Sequence, residues 1–193
     1  MTRIIAGDLK GRALKVPTSV TRPTSSRVRE ALFSSITHQV GDYSALNVLD
    51  LFAGSGALGF EALSRGAHRV TFIESDRKAC ECIGNNAEQL NVQTASVIQA
   101  DVVHAVASTA SALFDLVFID PPYALSDDEM NGVLEHLATN AWLSNDALVI
   151  VERSGKSIVD WPNFFTPLNN KTYGDTSIWY GQYSPDRVDV SKE

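Results

Sequence analysis

Four residues in the middle of the chain, Asp120-Pro121-Pro122-Tyr123, combine a carboxylate and an aromatic ring on a stiff backbone. They directly follow the apolar run 113–119, which is typical of a buried strand, and open α/β sheets bind ligands where such strands end. Prolines fix φ and donate no backbone N–H, so we expect a rigid, extended arch. The arch could hold a flat base that carries an amine. The alternative is a Pro turn with a packed tyrosine.

A glycine-rich segment earlier in the chain, from Asp50 to Gly59, follows another short apolar run. Its Gly-x-Gly-x-x-Gly spacing lets the backbone turn tightly from strand to helix, and the helix N-terminus offers unpaired N–H groups. Glu74 lies 20 residues after Gly54, where a carboxylate can accept hydrogen bonds from both ribose hydroxyls. This spacing predicts a nucleotide-type cofactor site. The spacing does not exclude a nicotinamide dinucleotide as the cofactor. The alternative without a ligand is a glycine-rich turn beside a surface acid.

Acidic residues at the predicted strand ends distinguish the possible cofactors. A dinucleotide carries a pyrophosphate that helix-end N–H groups must neutralise, whereas S-adenosylmethionine has no phosphate and carries a sulfonium cation. A site lined by acids suits the cation better, and the acids are Asp50, Glu74, Asp101 and Asp120. Asp101 could reach an adenine amino group, and it is also a good N-cap for the helix predicted after it. A dehydrogenase usually needs a separate substrate domain, for which the chain has no room.

Size and composition indicate one globular domain with a small appendage. The chain has 193 residues, of which 44% are hydrophobic. It shows neither an 18-residue apolar run nor a charged-then-apolar leader, so we expect a cytoplasmic protein. Cys80 and Cys82 are too few for a disulfide framework and are expected to be reduced thiols. The four histidines lack ligand spacing, and no metal site is predicted.

Charge is unevenly distributed along the chain. The net charge is −7, yet residues 1–30 carry seven basic and two acidic residues, a net +5, which leaves −12 for the remainder. A basic arm on an acidic body is typical of proteins that meet nucleic acid. The alternative is the solvated face of a small hairpin.

The pattern of elements predicts how these groups are positioned. Short apolar runs split by glycines at 3–16 indicate a hairpin, 17–26 reads as a connector, and 25–40 as a helix with Arg27 and Arg29 on its outer side. Strands and helices then alternate, which predicts a doubly wound, mostly parallel α/β sheet. A capping box at 126–129 begins the last helix, and an antiparallel pair closes the chain. The predicted strands are 47–52, 69–74, 95–100, 113–119 and 146–151, and the helices between them 57–65, 76–90, 102–110 and 127–139.

With these motifs assembled, the chain resembles the class I, S-adenosylmethionine-dependent amino-methyltransferases. Within them it is similar to the bacterial small-subunit ribosomal RNA guanine-N2 methyltransferases of the RsmD type. The matching segments are 3–7, 10–12, 21–25, 27–33, 50–59, 61–67, 120–123 and 173–176. Ser26 stands where an acid is expected and Phe60 where Leu is usual, and neither touches the chemistry.

The resemblance implies a seven-stranded Rossmann-like sheet in a methyltransferase domain at 25–193, with an RNA-docking extension at 1–24. Asp120 and the Pro121 carbonyl would accept the two N–H groups of a guanine amine, and Tyr123 would stack on the extruded base. The implied substrate is 16S ribosomal RNA in a small-subunit assembly particle, and a monomer is expected. The implied cofactor-binding residues are Asp50, Phe52, Ala53, Gly54, Gly56, Glu74 and Asp101. The implied RNA-binding residues are Arg3, Lys10, Arg12, Lys15, Arg22, Arg27 and Arg29.

Other functions remain open from the sequence alone. The tetrapeptide also suits adenine N6 and cytosine N4, so a DNA adenine-N6 methyltransferase is an alternative, although no recognition domain follows the tetrapeptide. A small nicotinamide-dependent oxidoreductase would leave residues 120–123 unexplained. A non-catalytic RNA-binding module would account for the basic arm only.

Overall fold

A computed structural model describes residues 2–17, 25–155 and 157–185. Seven strands make a mostly parallel sheet, and two further short strands form a separate sheet at the N-terminus. The predicted α/β class, with its N-terminal hairpin extension, is confirmed. The chain divides into two compact units, Met1–Asp101 and Val102–Glu193, and each is described in turn.

The first unit contains the hairpin and a parallel three-stranded part of the sheet in the order β5-β4-β3. Leu51 pairs with Ile73, and Glu74 pairs with Gln99, so the three strands end at one edge. Its elements are β1 (Thr2–Arg3), β2 (Ala13–Leu14), α1 (Ser26–Val40), β3 (Asn47–Leu51), α2 (Ala57–Ser64), β4 (Arg69–Glu74), α3 (Arg77–Leu90) and β5 (Ala95–Gln99).

Local chemistry accounts for the bounds of these elements. The Ser25 side chain caps α1 by accepting the Val28 N–H, and Asp76 caps α3 in the same way with Ala79. Strand β3 is almost wholly buried, and β4 buries Val70, Phe72 and Ile73, which explains the apolar residues at these positions. The predicted bounds of these helices and strands are therefore confirmed to within a residue or so.

The second unit contains four strands in the order β6-β7-β9-β8. Strand β6 runs parallel to β7, with Ile119 beside Val151, whereas β9 runs antiparallel to both of its neighbours. The predicted antiparallel pair at the end of the chain is thus confirmed. Its elements are α4 (Val102–Val106), β6 (Phe114–Ile119), α5 (Asp127–Thr139), β7 (Leu143–Ser154), β8 (Phe165–Tyr173) and β9 (Thr176–Tyr183).

Two elements of this unit differ from the prediction. Helix α4 ends at Val106 rather than at 110, because the Asn140 side chain donates to the carbonyls of Val106 and Ala107, both at 3.0 Å. Strand β7 is twice as long as predicted, since β9 pairs with it as far as Ser154. Both differences come from partners distant in the sequence, which local periodicity does not record.

Among the described residues, no helix is long and apolar enough to cross a membrane. The two cysteines are free thiols, as predicted. Within the same described ranges, no cluster of three or more His, Cys, Asp or Glu side chains is arranged to hold a metal ion.

Candidate functional site

The loop between β3 and α2 has an unusual backbone. Phe52, Gly54 and Gly56 have φ values of 57°, 55° and 74°, so three left-handed residues occur within five positions. Glycine adopts this conformation without strain, but Phe52 does so at a cost of roughly 1–3 kcal/mol. The loop is closed by a bond from the Gly56 N–H to the Ala53 carbonyl at 2.7 Å. Such strained, well-fixed loops cluster at ligand sites, as the sequence predicted for residues 52–56.

Glu74, the last residue of β4, is fixed beside this loop. Its Oε2 accepts the Gly54 N–H at 2.9 Å, and its Oε1 accepts the Asp76 N–H at 2.8 Å. Oε1 also accepts from the Ser75 hydroxyl at 3.3 Å. Since each carboxylate oxygen offers about two acceptor positions, Oε2 keeps capacity for a further donor. The carboxylate of Glu74 is thus fixed between the glycine loop and the start of α3, while its predicted role in binding a ribose stays a prediction.

Asp50 lies inside the protein, within β3. Its Oδ2 accepts the Gly59 N–H at 2.9 Å, which gives the first turn of α2 an internal acidic partner. The pKa of Asp50 is raised to about 8. Burial is the largest cause, the Gly59 hydrogen bond lowers the pKa, and the negative charge of Glu74 raises it. Asp50 thus fixes α2 to β3, a structural role in addition to the cofactor contact that the sequence predicted.

The third glycine of the motif has a packing role. A Cβ on Gly59 would lie 2.3 Å from the ring of Phe72, so only glycine lets α2 approach β4 this closely. Phe60, which departs from the family pattern, packs against the same ring at a centroid distance of 5.0 Å. The motif therefore has one glycine for packing, while Gly54 and Gly56 shape the loop.

Asp101 follows the third parallel strand of the unit. The Ala100 N–H donates to the Glu74 carbonyl at 3.0 Å, and this bond brings the end of β5 beside Glu74. Asp101 itself is exposed, directly before α4. The structure thus brings Glu74 and the segment before Asp101 to one edge of the sheet, while the predicted adenine contact of Asp101 stays a prediction.

The tetrapeptide leaves β6 at its carboxyl end. Residues 116–119 are buried, Asp120 and Pro121 are half-buried, and Pro122 is exposed. The Tyr123 ring is 69% exposed, which contradicts the alternative of a packed tyrosine. The chain then turns, with the Leu125 N–H donating to the Pro122 carbonyl at 3.0 Å, and enters α5 through the predicted capping box. An exposed ring therefore stands beside a half-buried carboxylate.

The basic N-terminal segment is fixed to the body of the first unit. The buried Glu61 on α2 accepts the N–H groups of Ile5 at 2.7 Å and Ala6 at 3.1 Å, and Ser64 accepts that of Leu9 at 2.9 Å. On α3, Asn86 accepts the Lys15 N–H at 2.8 Å. The hairpin has only two pairs of residues because these bonds replace strand pairing. Sequence reasoning missed Glu61 and Asn86, although a glutamate among the apolar residues 58–63 was a visible signal.

Four predicted RNA-binding residues of this segment are exposed: Arg3, Lys10, Arg12 and Lys15. Two of them also support the hairpin, since Arg3 donates to the Gly11 carbonyl at 2.8 Å and Arg12 donates to the Gln89 carbonyl at 3.0 Å. A rigid backbone thus presents the four charges to solvent.

Arg29 is a correction to the prediction. It is only 2% exposed, and its Nη2 donates to the Arg3 carbonyl at 2.6 Å. Burial lowers its pKa, which the charge of Glu61 partly offsets. Arg29 therefore ties α1 to the hairpin and is not available to RNA. The prediction was wrong because it placed a charged residue in solvent, although Arg29 shares the buried face of α1 with Leu32, Phe33 and Ile36. Arg27 is exposed as predicted, and Arg22 lies outside the described residues.

Comparison with known proteins finds relatives across most of the chain. The family described as "Conserved hypothetical protein 95" matches residues 2–182. Ribosomal RNA small subunit methyltransferase D of Escherichia coli is 40% identical over 78% of this chain and 73% of its own length. The protein of the same name from Haemophilus influenzae is 38% identical over 91% of this chain and 90% of its own. A solved putative methyltransferase from E. coli superposes with a TM-score of 0.82 at 33% identity, covering 95% and 98% of the two chains.

Proposed function

This chain belongs to the Conserved hypothetical protein 95 family, among relatives named ribosomal RNA small subunit methyltransferase D, and from that premise we propose its reaction. It transfers a methyl group from S-adenosylmethionine to the exocyclic N2 amine of a guanine in 16S ribosomal RNA. The assignment as a methyltransferase rests on the named relatives and on the solved neighbour of the same fold. The choice of guanine, of its N2 atom and of S-adenosylmethionine is supported by the residues of the site.

The first unit offers hydrogen-bond acceptors that fit S-adenosylmethionine. Glu74, held by the Gly54 N–H, would accept from a ribose, the exposed Asp101 would accept from the adenine amine, and the loop 52–56 would bring its backbone close to the ligand. The bound cofactor supplies a methyl group on a sulfonium cation. Asp50 already accepts the Gly59 N–H, so this donor near the start of α2 is not open to a pyrophosphate. The occupied donor supports S-adenosylmethionine over a nicotinamide dinucleotide.

The second unit supplies the groups for the amine. The lone pair of the guanine amine is delocalised into the ring, so it must be localised and directed before it can attack a methyl group. Asp120 would accept one N–H and the Pro121 carbonyl the other, at the end of a buried strand that holds both still. Asp120 need not be a strong base, because the amine becomes acidic only as the methyl group is transferred.

Tyr123 would hold the target base. Its exposed ring can stack on an extruded guanine, an interaction worth roughly 1–3 kcal/mol that offsets part of the cost of unstacking. The half-buried Asp120 and the exposed Tyr123, which directly follow the buried strand β6, are the observation that carries the proposal. A dehydrogenase would have no use for this pair.

The RNA is held through its phosphates by the exposed cations of the N-terminal segment. We assign this docking role to residues 1–24 and the methyltransferase domain to 25–193. The candidate side chains are Arg3, Lys10, Arg12 and Lys15, together with Arg27 on α1. A monomer acting on a small-subunit assembly particle completes the proposal.

The proposal is tested in cells of the source organism that lack the protein. Mass spectrometry of nucleosides from their 16S ribosomal RNA should show the loss of N2-methylguanosine at one position. The wild-type chain should restore it, and the Asp120→Ala variant should not. An unchanged N2-methylguanosine content, or a loss of methyladenosine instead, would refute the proposed base.

A further inference from the structure

The loop after the tetrapeptide is held by an arginine of the neighbouring strand. Arg153, near the end of β7, donates from Nη1 to the Leu125 carbonyl at 3.2 Å and from Nη2 to Asp127 Oδ1 at 2.5 Å. The side chain of Arg153 is 8% exposed, whereas that of Asp127 is 71% exposed. Exposed ion pairs contribute little, so the partly buried bond to the carbonyl is the more important of the two.

Leu125 links this arginine to the tetrapeptide. Its N–H donates to the Pro122 carbonyl at 3.0 Å, while its own carbonyl accepts from Arg153. The next residue, Ser126, donates its N–H to Glu129 Oε2 at 2.9 Å within the capping box of α5. Residues 120–126 are therefore fixed at three points: at the end of β6, through the Leu125 peptide groups, and at the start of α5.

The support for Arg153 is itself rigid. Its backbone pairs with Ser177 of β9, and Val151, two positions earlier, pairs with Ile119 of β6. The arginine therefore extends β7 beyond the point where β6 gives way to the tetrapeptide. A planar guanidinium can reach two acceptors in a fixed geometry, which the single ammonium of a lysine cannot do.

We propose that Arg153 is a positioning residue, which fixes the exit of the 120–126 loop and thereby the orientation of Pro122 and Tyr123. The consequence for catalysis rests on the proposed function, in which Tyr123 holds the target base. The effect of Arg153 on the loop is independent of the proposed function, because it follows from the hydrogen bonds alone.

Loop order is measured first, without any substrate. Hydrogen exchange with mass spectrometry on a peptide spanning 120–129 should show that Arg153→Ala raises exchange at Leu125 and Ser126 by about tenfold. Cleavage by chymotrypsin after the exposed Tyr123 should accelerate to a similar degree. Asp127→Asn, which keeps the bond to the Leu125 carbonyl, should change both rates by less than about twofold. Arg153→Lys should lie between these variants, and it carries the test if the Ala variant does not fold.

A matched control comes from another arginine–acid pair. Arg77 binds Glu81 at 2.9 Å on the exposed side of α3, so Arg77→Ala removes a similar pair and should leave exchange in 120–129 unchanged. Wild-type exchange at 120–129 in Arg153→Ala would overturn the inference. Exchange that rises equally throughout β6 and β7 would also overturn it, since Arg153 would then serve general stability.

The catalytic consequence has its own readout. With ribosomal RNA as substrate, Arg153→Ala should lower kcat by about tenfold and leave KM for S-adenosylmethionine within about twofold, and Lys should restore part of the rate. If the wild-type chain methylates no RNA, the proposed function fails while the exchange result still decides the role of Arg153. A normal kcat in a variant with a disordered loop would overturn the positioning role.

Discussion

The carboxylate of Glu74 binds the backbone N–H of Gly54 at 2.9 Å, which joins the end of β4 to the glycine loop that follows β3. The two residues lie 20 positions apart in the chain, and this bond, together with that from the Asp76 N–H, orients the carboxylate before any ligand arrives. Preorganisation of this kind lowers the entropy lost on binding.

The first prediction concerns the charge of Glu74. Glu74→Gln keeps one oxygen that can accept the Gly54 N–H, but the amide NH2 group replaces the oxygen that accepts from Asp76, and the charged acceptor for a ribose is lost. Hydrogen bonds to charged groups are worth roughly 1.5–3 kcal/mol. Calorimetric titration should show affinity for S-adenosylmethionine lower by about 10- to 100-fold. Glu81→Gln, which changes an exposed glutamate on α3, is the control and should leave affinity unchanged. Equal affinities in both variants would rule out a ribose role for Glu74.

The second prediction concerns Asp50 and pH. With its pKa raised to about 8 in the folded state, Asp50 retains a proton that the unfolded chain loses near its ordinary pKa of 3.8. The free energy of unfolding therefore falls as pH rises from about 4 to about 8, by up to roughly 1.4 kcal/mol per pH unit. Above about pH 8, Asp50 makes no further contribution to this fall.

Asp50→Asn removes this titration while an amide oxygen still accepts the Gly59 N–H. Urea unfolding at pH 5 and at pH 8 should show that the variant gains stability relative to the wild type as pH rises. A constant difference between the two proteins across this range would mean that Asp50 is already ionised in the folded state.

The third prediction separates stacking from the phenol hydroxyl of Tyr123. Because the ring is 69% exposed, neither Tyr123→Phe nor Tyr123→Ala should alter the melting temperature much. Loss of a stacking platform worth roughly 1–3 kcal/mol should lower kcat/KM for RNA by about 5- to 150-fold in the Ala variant. The Phe variant should stay near the wild type. A defect in the Phe variant as large as that in the Ala variant would assign the role to the hydroxyl group.

The fourth prediction concerns the N-terminal cations. Replacing Lys10, Arg12 and Lys15 together by Gln should weaken RNA binding and reduce the slope of log K against log salt by about 2. Affinity for S-adenosylmethionine should not change. Arg69→Gln, an exposed cation at the amino end of β4, is the control and should leave the slope unaffected. An unchanged slope in the triple variant would place the RNA elsewhere.

The fold was most predictable where its strands are buried, apolar and short, as β3 and β6 are. The run 113–119 ends where β6 does, and so the tetrapeptide was correctly placed. Other features depended on distant partners. The side chain of Asn140 ends α4 early, and the anchoring of the hairpin by Glu61 brings Arg29 against the Arg3 carbonyl. The predicted roles of the site residues in binding and catalysis remain predictions, since they concern ligands rather than the folding of the chain.

The central claim is tested most directly with purified protein. Small-subunit particles from cells that lack the protein are incubated with isotopically labelled S-adenosylmethionine, and the nucleosides are separated by mass spectrometry. The account predicts label in N2-methylguanosine with the wild-type chain and none with Asp120→Ala, which should still bind the cofactor normally. Label in N6-methyladenosine, or an Asp120→Ala variant as active as the wild type, would contradict it.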